Sequence, residues 1–195
     1  MTSDLISTLR KDVQLDEAEA AYISSFCKKR TFKRGAVLLN AGEQASEVFF
    51  VLKGVLHQFY LDESGVEKSC NFAFEHEFIT DLESFSKQAA ATSCIKALTE
   101  TSVLILSCKD LGLLLRELPS VALFFRILVE RLAAESMERT KSLLAYTPQK
   151  RFLLLAEARP DIFLRVPQRY IAQYLGIAPE SLSRIRKRLF VEAKS

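Results

Sequence analysis

The chain has 195 residues, 49% of them apolar and 26% charged, with a formal net charge of +3. That is enough chain to bury a core in one large domain or two small ones. No apolar run approaches a membrane span, and MTSDLISTLRKD at the N-terminus lacks a stretch of signal-peptide length, so a cytoplasmic protein with no membrane partner is expected.

The charge is unevenly placed. Residues 148–195 carry ten Lys/Arg against four Asp/Glu, whereas residues 1–147 carry seventeen against twenty. A basic C-terminal segment on a mildly acidic body points to a polyanionic partner for that segment alone. Cys27, Cys70, Cys94 and Cys108 are widely spaced with no C-x-x-C pair, so they read as reduced thiols rather than ligands of zinc or an iron–sulfur cluster. His57 and His76 are the only histidines, and neither has a second histidine one helical turn away. No metal or cofactor is expected. No Ser/His/Asp or Cys/His pattern and no Gly-rich phosphate loop stands out, so the chain reads as a non-enzyme.

In chain order, Leu5 to Cys27 reads as one or two short amphipathic helices. From Thr31 to Ser107 the texture changes to short runs of β-branched and aromatic residues, such as EVFFVL, VLHQFYL and TSVLILS, punctuated by Gly35, Gly42, Gly54 and Gly65. This predicts a β-barrel, roll or sandwich. Asp110 is expected to cap a short leucine-rich helix, and Pro119 to start a longer one. Apolar residues at 121, 125, 128 and 132 give that second helix a stripe, and it would reach roughly 40 Å. Such a helix is longer than a small β-domain needs, which favours packing on a twin.

Thr147-Pro148 is a helix start, with threonine as N-cap and proline at the first helical position. Arg159-Pro160-Asp161 breaks that helix. Tyr170 to Leu175 predicts another, Gly176-Ile177-Ala178 a turn, and Pro179 opens a last helix to about Val191. On a helical wheel, Leu182, Ile185 and Leu189 form an apolar keel. Glu180, Ser183, Arg184 and Lys187 lie opposite, flanked by Ser181 and Arg188. With small Ala172 at the crossing and Gly176 in the turn, this is a helix-turn-helix pattern. Arginine can grip guanine O6 and N7, glutamate can accept from cytosine N4, and Ser181, Lys187 and Arg188 suit phosphates.

On the segments YIAQYLGIAPESLSRIRKRL, KRGAVLLNAGEQASEVFFVLKGVLHQFY and EFITDLESF, the chain resembles the Crp/Fnr-type transcription regulators along nearly its whole length. The resemblance implies an α+β chain. It would have an N-terminal double-stranded β-roll, jelly-roll-like and flanked by helices, then a long dimerisation helix, then a C-terminal helix-turn-helix domain. The boundaries would be 1–118 for the cyclic-nucleotide-binding-like effector domain, 119–147 for the dimerisation helix and hinge, and 148–195 for the DNA-binding domain. It further implies a homodimer through helix 119–147 on double-stranded DNA, reading half-sites about 34 Å apart. Glu180 and Arg184 would make base contacts, Ser183 a base or phosphate contact, and Gln168 and Arg169 contacts ahead of the recognition helix. RNA polymerase is a candidate partner.

Two departures from the family pattern stand out. Members that bind cyclic AMP hold its phosphate in a capsule built from a Gly-Glu pair and an Arg-Ser/Thr-Ala run. Here the pocket positions are Phe78, Thr80, Asp81 and Leu82, then Ala91, Thr92 and Ser93. Ala91 cannot replace the arginine that neutralises a cyclic phosphate in a partly dry pocket. Asp81 could still accept from a ribose hydroxyl, and Thr92 could donate one. The expectation is a degenerate pocket that does not take cyclic AMP, leaving an unknown small-molecule effector or none. The second departure is the β-hairpin wing that usually follows the recognition helix, for which Val191–Ser195 is too short. Two other readings stay open: a cyclic-nucleotide-responsive regulator, and a ligand-binding or interaction module with an incidental basic tail.

Overall fold

Residues 2–192 are described by a computed structural model, with side chains as far as Arg188. Two helices come first, α1 (Ser3–Leu9) and α2 (Glu17–Phe26). Asp16 and Glu19 open α2 as a capping box, each carboxylate accepting from the other's backbone N–H. Eight strands follow: β1 (Lys28–Phe32), β2 (Val37–Leu39), β3 (Glu47–Lys53), β4 (Leu56–Leu61), β5 (Glu67–Ala73), β6 (Phe78–Ile79), β7 (Ser93–Ala97) and β8 (Thr101–Ser107). A short helix, α3 (Leu82–Lys87), interrupts them. They form two four-stranded sheets, ordered β1-β8-β3-β6 and β2-β7-β4-β5. This is the β-roll that the runs and turns predict.

The paired strands β3 and β8, central in the first sheet, face a core on each side. Phe50 lies opposite Leu104, Val51 opposite Val103 and Phe49 opposite Ile105. Successive side chains of a strand point to opposite faces. Val48, Phe50, Leu104 and Leu106 therefore join Leu5, Leu9, Ile23 and Leu114 in one core. Phe49, Val51, Val103 and Ile105 join Leu39, Leu56, Ile79 and Ile95 in the other, inside the roll.

Beyond β8 the chain is helical: α4 (Cys108–Glu117), α5 (Pro119–Ala145), α6 (Pro148–Ala158), α7 (Ile162–Arg165), α8 (Gln168–Tyr174) and α9 (Pro179–Glu192). The start of α4 differs from the sequence expectation. Ser107, not Asp110, is the N-cap, and its hydroxyl accepts from the Asp110 N–H. Strand β8 runs straight into the helix, so the cap falls one turn earlier, and the Asp110 carboxylate accepts the Ser107 hydroxyl proton at 2.6 Å. Pro119 does begin the long helix, which at 27 residues is about 40 Å long. Thr147 caps α6 by accepting from the Lys150 N–H.

The chain divides into two compact units, residues 1–60 with 71–132 and residues 61–70 with 133–195. The second has its own small core, including Phe152, Leu155, Ile162, Tyr170, Ile171, Leu182 and Ile185. Arg139 organises this unit. Its guanidinium stacks on the Tyr174 ring at 4.0 Å and donates to the carbonyls of Ser69, Cys70 and Tyr174. The Ser69 hydroxyl adds a hydrogen bond to Gln173 Oε1 at 2.8 Å.

Gly54 sits at φ +105°, and a Cβ there would lie 2.8 Å from the Thr101 Cα. Gly54→Ala should therefore cost at least ~2 kcal/mol of unfolding free energy, read as a lower urea midpoint at unchanged slope. Thr147→Ala removes only a cap and should cost about 1 kcal/mol in the same measurement.

Candidate nucleic-acid interface and effector capsule

The second unit builds a helix pair from α8 and α9. Ala172 is fully buried, as a close helix crossing requires. Gly176 takes φ +65°, and a Cβ at that position would meet Leu143 Cδ2 at 3.0 Å, so the turn accepts glycine for both conformation and space. The N–H of Ile177 closes back on the Ala172 carbonyl at 3.0 Å. Pro179 then starts α9.

The faces of α9 separate as the wheel predicts. Leu182 and Ile185 are buried; Glu180, Ser183, Arg184, Lys187 and Arg188 are exposed. The Leu189 side chain, expected in the keel, lies outside the described residues. Ser181 is half-buried and accepts from Arg184 Nη2 at 3.2 Å, which leans the guanidinium along the ridge. Glu180 and Arg184 stand one turn apart on the exposed side of the helix. Arg188 lies 3.4 Å from Gln149 Oε1 of α6. At the start of α8, Gln168 and Arg169 are exposed, and Arg169 lies over the Tyr170 ring while donating to its hydroxyl at 2.7 Å. The structure thus gathers the eight sequence-chosen DNA-contact residues on two helices. The expectation about a missing wing rests partly on residues 193–195, which lie outside the described residues.

The capsule is in the first unit, and its wiring departs from the sequence expectation. Asp81 is buried at the N-cap of α3. One carboxylate oxygen accepts from the Ser84 N–H at 3.0 Å. The other accepts from the N–H groups of Thr92 and Ser93 at 3.2 and 3.0 Å and from the Ser93 hydroxyl at 2.7 Å. Burial pushes this carboxyl up, but the donors of Ser84, Ser93 and Thr92 outweigh it and hold it below the ordinary carboxylate value. The chain of donors continues outward. Gln58 Nε2 donates to the Ser93 hydroxyl at 2.8 Å and to the Thr80 carbonyl at 3.3 Å, and the Thr80 hydroxyl donates to the Glu47 carbonyl at 2.9 Å.

Other pocket candidates are placed differently. Ala91 is buried, with its N–H on the Glu43 carbonyl and its own carbonyl receiving the Gly42 N–H. The Thr92 side chain is exposed, so its backbone rather than its hydroxyl faces Asp81. Phe78 packs among Phe50, Phe124 and Phe125. With Leu82 and Thr80 it lines a cavity of about 90 Å³ whose other walls include Phe85, Phe125, Leu128 and Val129. Lys87 pairs with Glu83 at 2.8 Å, and Lys96 lies over the Phe59 ring. Neither cation stands in for an arginine at position 91. Gln58 and Ser84 were not legible as capsule residues, because their roles depend on contacts between distant segments.

Among the described residues, no group of three or more His, Cys, Asp or Glu side chains is arranged to hold a metal ion. No helix among them is long and apolar enough to cross a membrane. Burial pushes the Cys27 thiol up to about 11, and the four cysteines are free thiols. His57 is fully buried, stacked between the rings of Phe59 and Phe72.

Residues 29–117 match the cyclic nucleotide-binding domain family. Over 175 residues the chain is 22% identical to the cAMP-activated global transcriptional regulator CRP of Escherichia coli, covering 85% of this chain and 83% of that one. Among solved structures, FixK2 from Bradyrhizobium japonicum superposes with a TM-score of 0.74 at 18% identity, covering 86% of each chain. The c-di-GMP responsive global regulator CLP of Xanthomonas campestris gives 0.71 at 13% identity, covering 91% of this chain and 93% of that one. With a roll of the cyclic nucleotide-binding type, a long helix and a helix-turn-helix in that order, the chain is similar to these proteins along most of its length and shares their fold.

Proposed function

We propose that the chain is a homodimeric, sequence-specific DNA-binding transcription regulator whose nucleotide capsule is degenerate and does not use cyclic AMP. The observation that carries the DNA-binding reading is the exposed ridge of Glu180, Ser183, Arg184, Lys187 and Arg188 on a helix whose opposite face is anchored by Leu182 and Ile185. A helix held this way presents its N-terminal side chains to the major groove. Glu180 and Arg184 read base edges; Lys187, Arg188, Ser181, Gln168 and Arg169 hold phosphates and set the register.

The long helix supports the dimer. Leu123, Val129, Met137 and Leu144 are exposed along α5, Met137 at 75% and Leu144 at 84%. An apolar series of this kind on a helix of this length suits a twin helix. The degenerate capsule rests on Ala91, which brings no cation, and on the neighbouring cavity, whose walls are largely apolar. A cyclic phosphate placed there would be a buried anion without its counter-charge.

Two measurements test the reading. On a selected operator, Arg184→Ala should lose about 1–3 kcal/mol and relax the choice at one base pair, whereas Lys187→Ala should weaken all sequences alike and lower the salt slope by about one. Unchanged affinity and specificity in Arg184→Ala would mean the basic helix is incidental. Calorimetric titration of the purified protein with cyclic AMP and cyclic GMP should give no heat; micromolar binding would instead make it a cyclic-nucleotide switch.

A further inference from the structure

Asp81 has more donors than a helix cap needs. A cap requires the Ser84 N–H alone, yet the carboxylate also collects the N–H groups of Thr92 and Ser93 and the Ser93 hydroxyl. Those three donors belong to the segment that follows Ala91, eleven and twelve residues further along the chain. Two adjacent N–H groups and a hydroxyl converging on one point make a cradle for an oxyanion. The cradle is complete in this chain without any outside molecule, because a side chain supplies the oxygen atoms. Gln58 orients the Ser93 hydroxyl from β4, so the arrangement is braced on its far side as well.

We infer that Asp81 is the standing occupant of an anion cradle formed by Ser84, Thr92 and Ser93, and that it is the residue that makes the capsule refuse phosphate-bearing ligands. This deepens the degenerate-capsule reading and rests on it. Ala91 accounts only for a missing attraction. Asp81 adds a repulsion and removes the donors: an incoming phosphate would meet a buried carboxylate at short range and find the amides already taken. The cradle therefore keeps the geometry of a filled site at all times. The class of ligand excluded is any small molecule whose binding depends on a phosphate in this segment, and removing the carboxylate converts the cradle into a site for a small inorganic or carboxylate anion.

The test is chemical rescue in the full-length chain. Asp81→Ala should melt lower than the wild type. Sodium formate, which replaces the lost carboxylate, or inorganic phosphate should raise its melting temperature saturably and beyond sodium chloride at equal ionic strength. At ten times the anion's dissociation constant the rise should be about 3–6 °C. The wild type should show no saturable rise. Two outcomes overturn the inference: an Asp81→Ala protein that ignores both anions, and a wild type that responds to them as the variant does. Should Asp81→Ala not fold, Ser93→Ala carries the test, since it deletes one donor and leaves the charge in place. Carbon-13 titration should find the Asp81 carboxyl below the ordinary carboxylate value in the wild type and higher in Ser93→Ala; identical titrations in the two proteins overturn the inference. Failure of the degenerate-capsule reading looks different, because it appears as cyclic-nucleotide binding by the wild type.

Discussion

β3 and β8 are buried on both of their faces, and most of the first unit is arranged around that fact. Val51 and Val103 face each other across the ladder with no exposed surface. Because the side chains alternate, each strand serves two cores at once, one inside the roll and one against the helices. A slip of one residue in this pairing would exchange the two apolar sets and disturb both cores together. The register is therefore strongly specified. It fixes where β6 leaves the sheet at Ile79, and so where Thr80 and Asp81 begin the capsule.

The capsule shows how a buried charge settles its own surroundings. A carboxylate out of water is costly unless several donors reach it. Asp81 has four, drawn from the first turn of α3 and the start of β7, and those donors tie the two segments together. In the second unit Arg139 does the corresponding work with the opposite charge. It gathers backbone carbonyls from the 61–70 segment and from α8 while its flat face covers Tyr174. Charge-assisted bonds to backbone hold position without depending on the identity of the residues that supply the carbonyls.

Much of the fold was legible because its signals are local. Glycines mark turns through their own backbone freedom, as Gly54 and Gly176 do at positive φ. Thr147-Pro148 sets a helix start within four residues. The keel and ridge of α9 follow from a period of 3.6, so the residues of that helix proposed to touch DNA could be read from the sequence, whereas Gln168 and Arg169 on α8 came from the resemblance. What escaped was non-local. The sequence leaves Asp81 able to accept from a ribose hydroxyl, and only the fold brings the amides of Thr92 and Ser93 to it. Arg139 looks like one more charge on a long helix, and nothing in its neighbours along the chain announces Tyr174 or Cys70. The early start of α4 has a different cause. Serine and aspartate both cap well, and the choice between Ser107 and Asp110 depends on where β8 ends.

The closed cradle also constrains descent. On the reading proposed above, holding a cyclic phosphate together with its counter-charge would take at least two substitutions, one to clear the carboxylate at position 81 and one to place a cation at position 91. Clearing Asp81 alone leaves four donors unmet in a buried site. An arginine at position 91 alone arrives beside amides already holding a charge. Either single step gives an intermediate that is less stable or that still lacks half of a neutralised phosphate site. If the cradle is closed in the way proposed, the two changes depend on each other, and a new signal would be easier to build elsewhere in the protein than in this capsule.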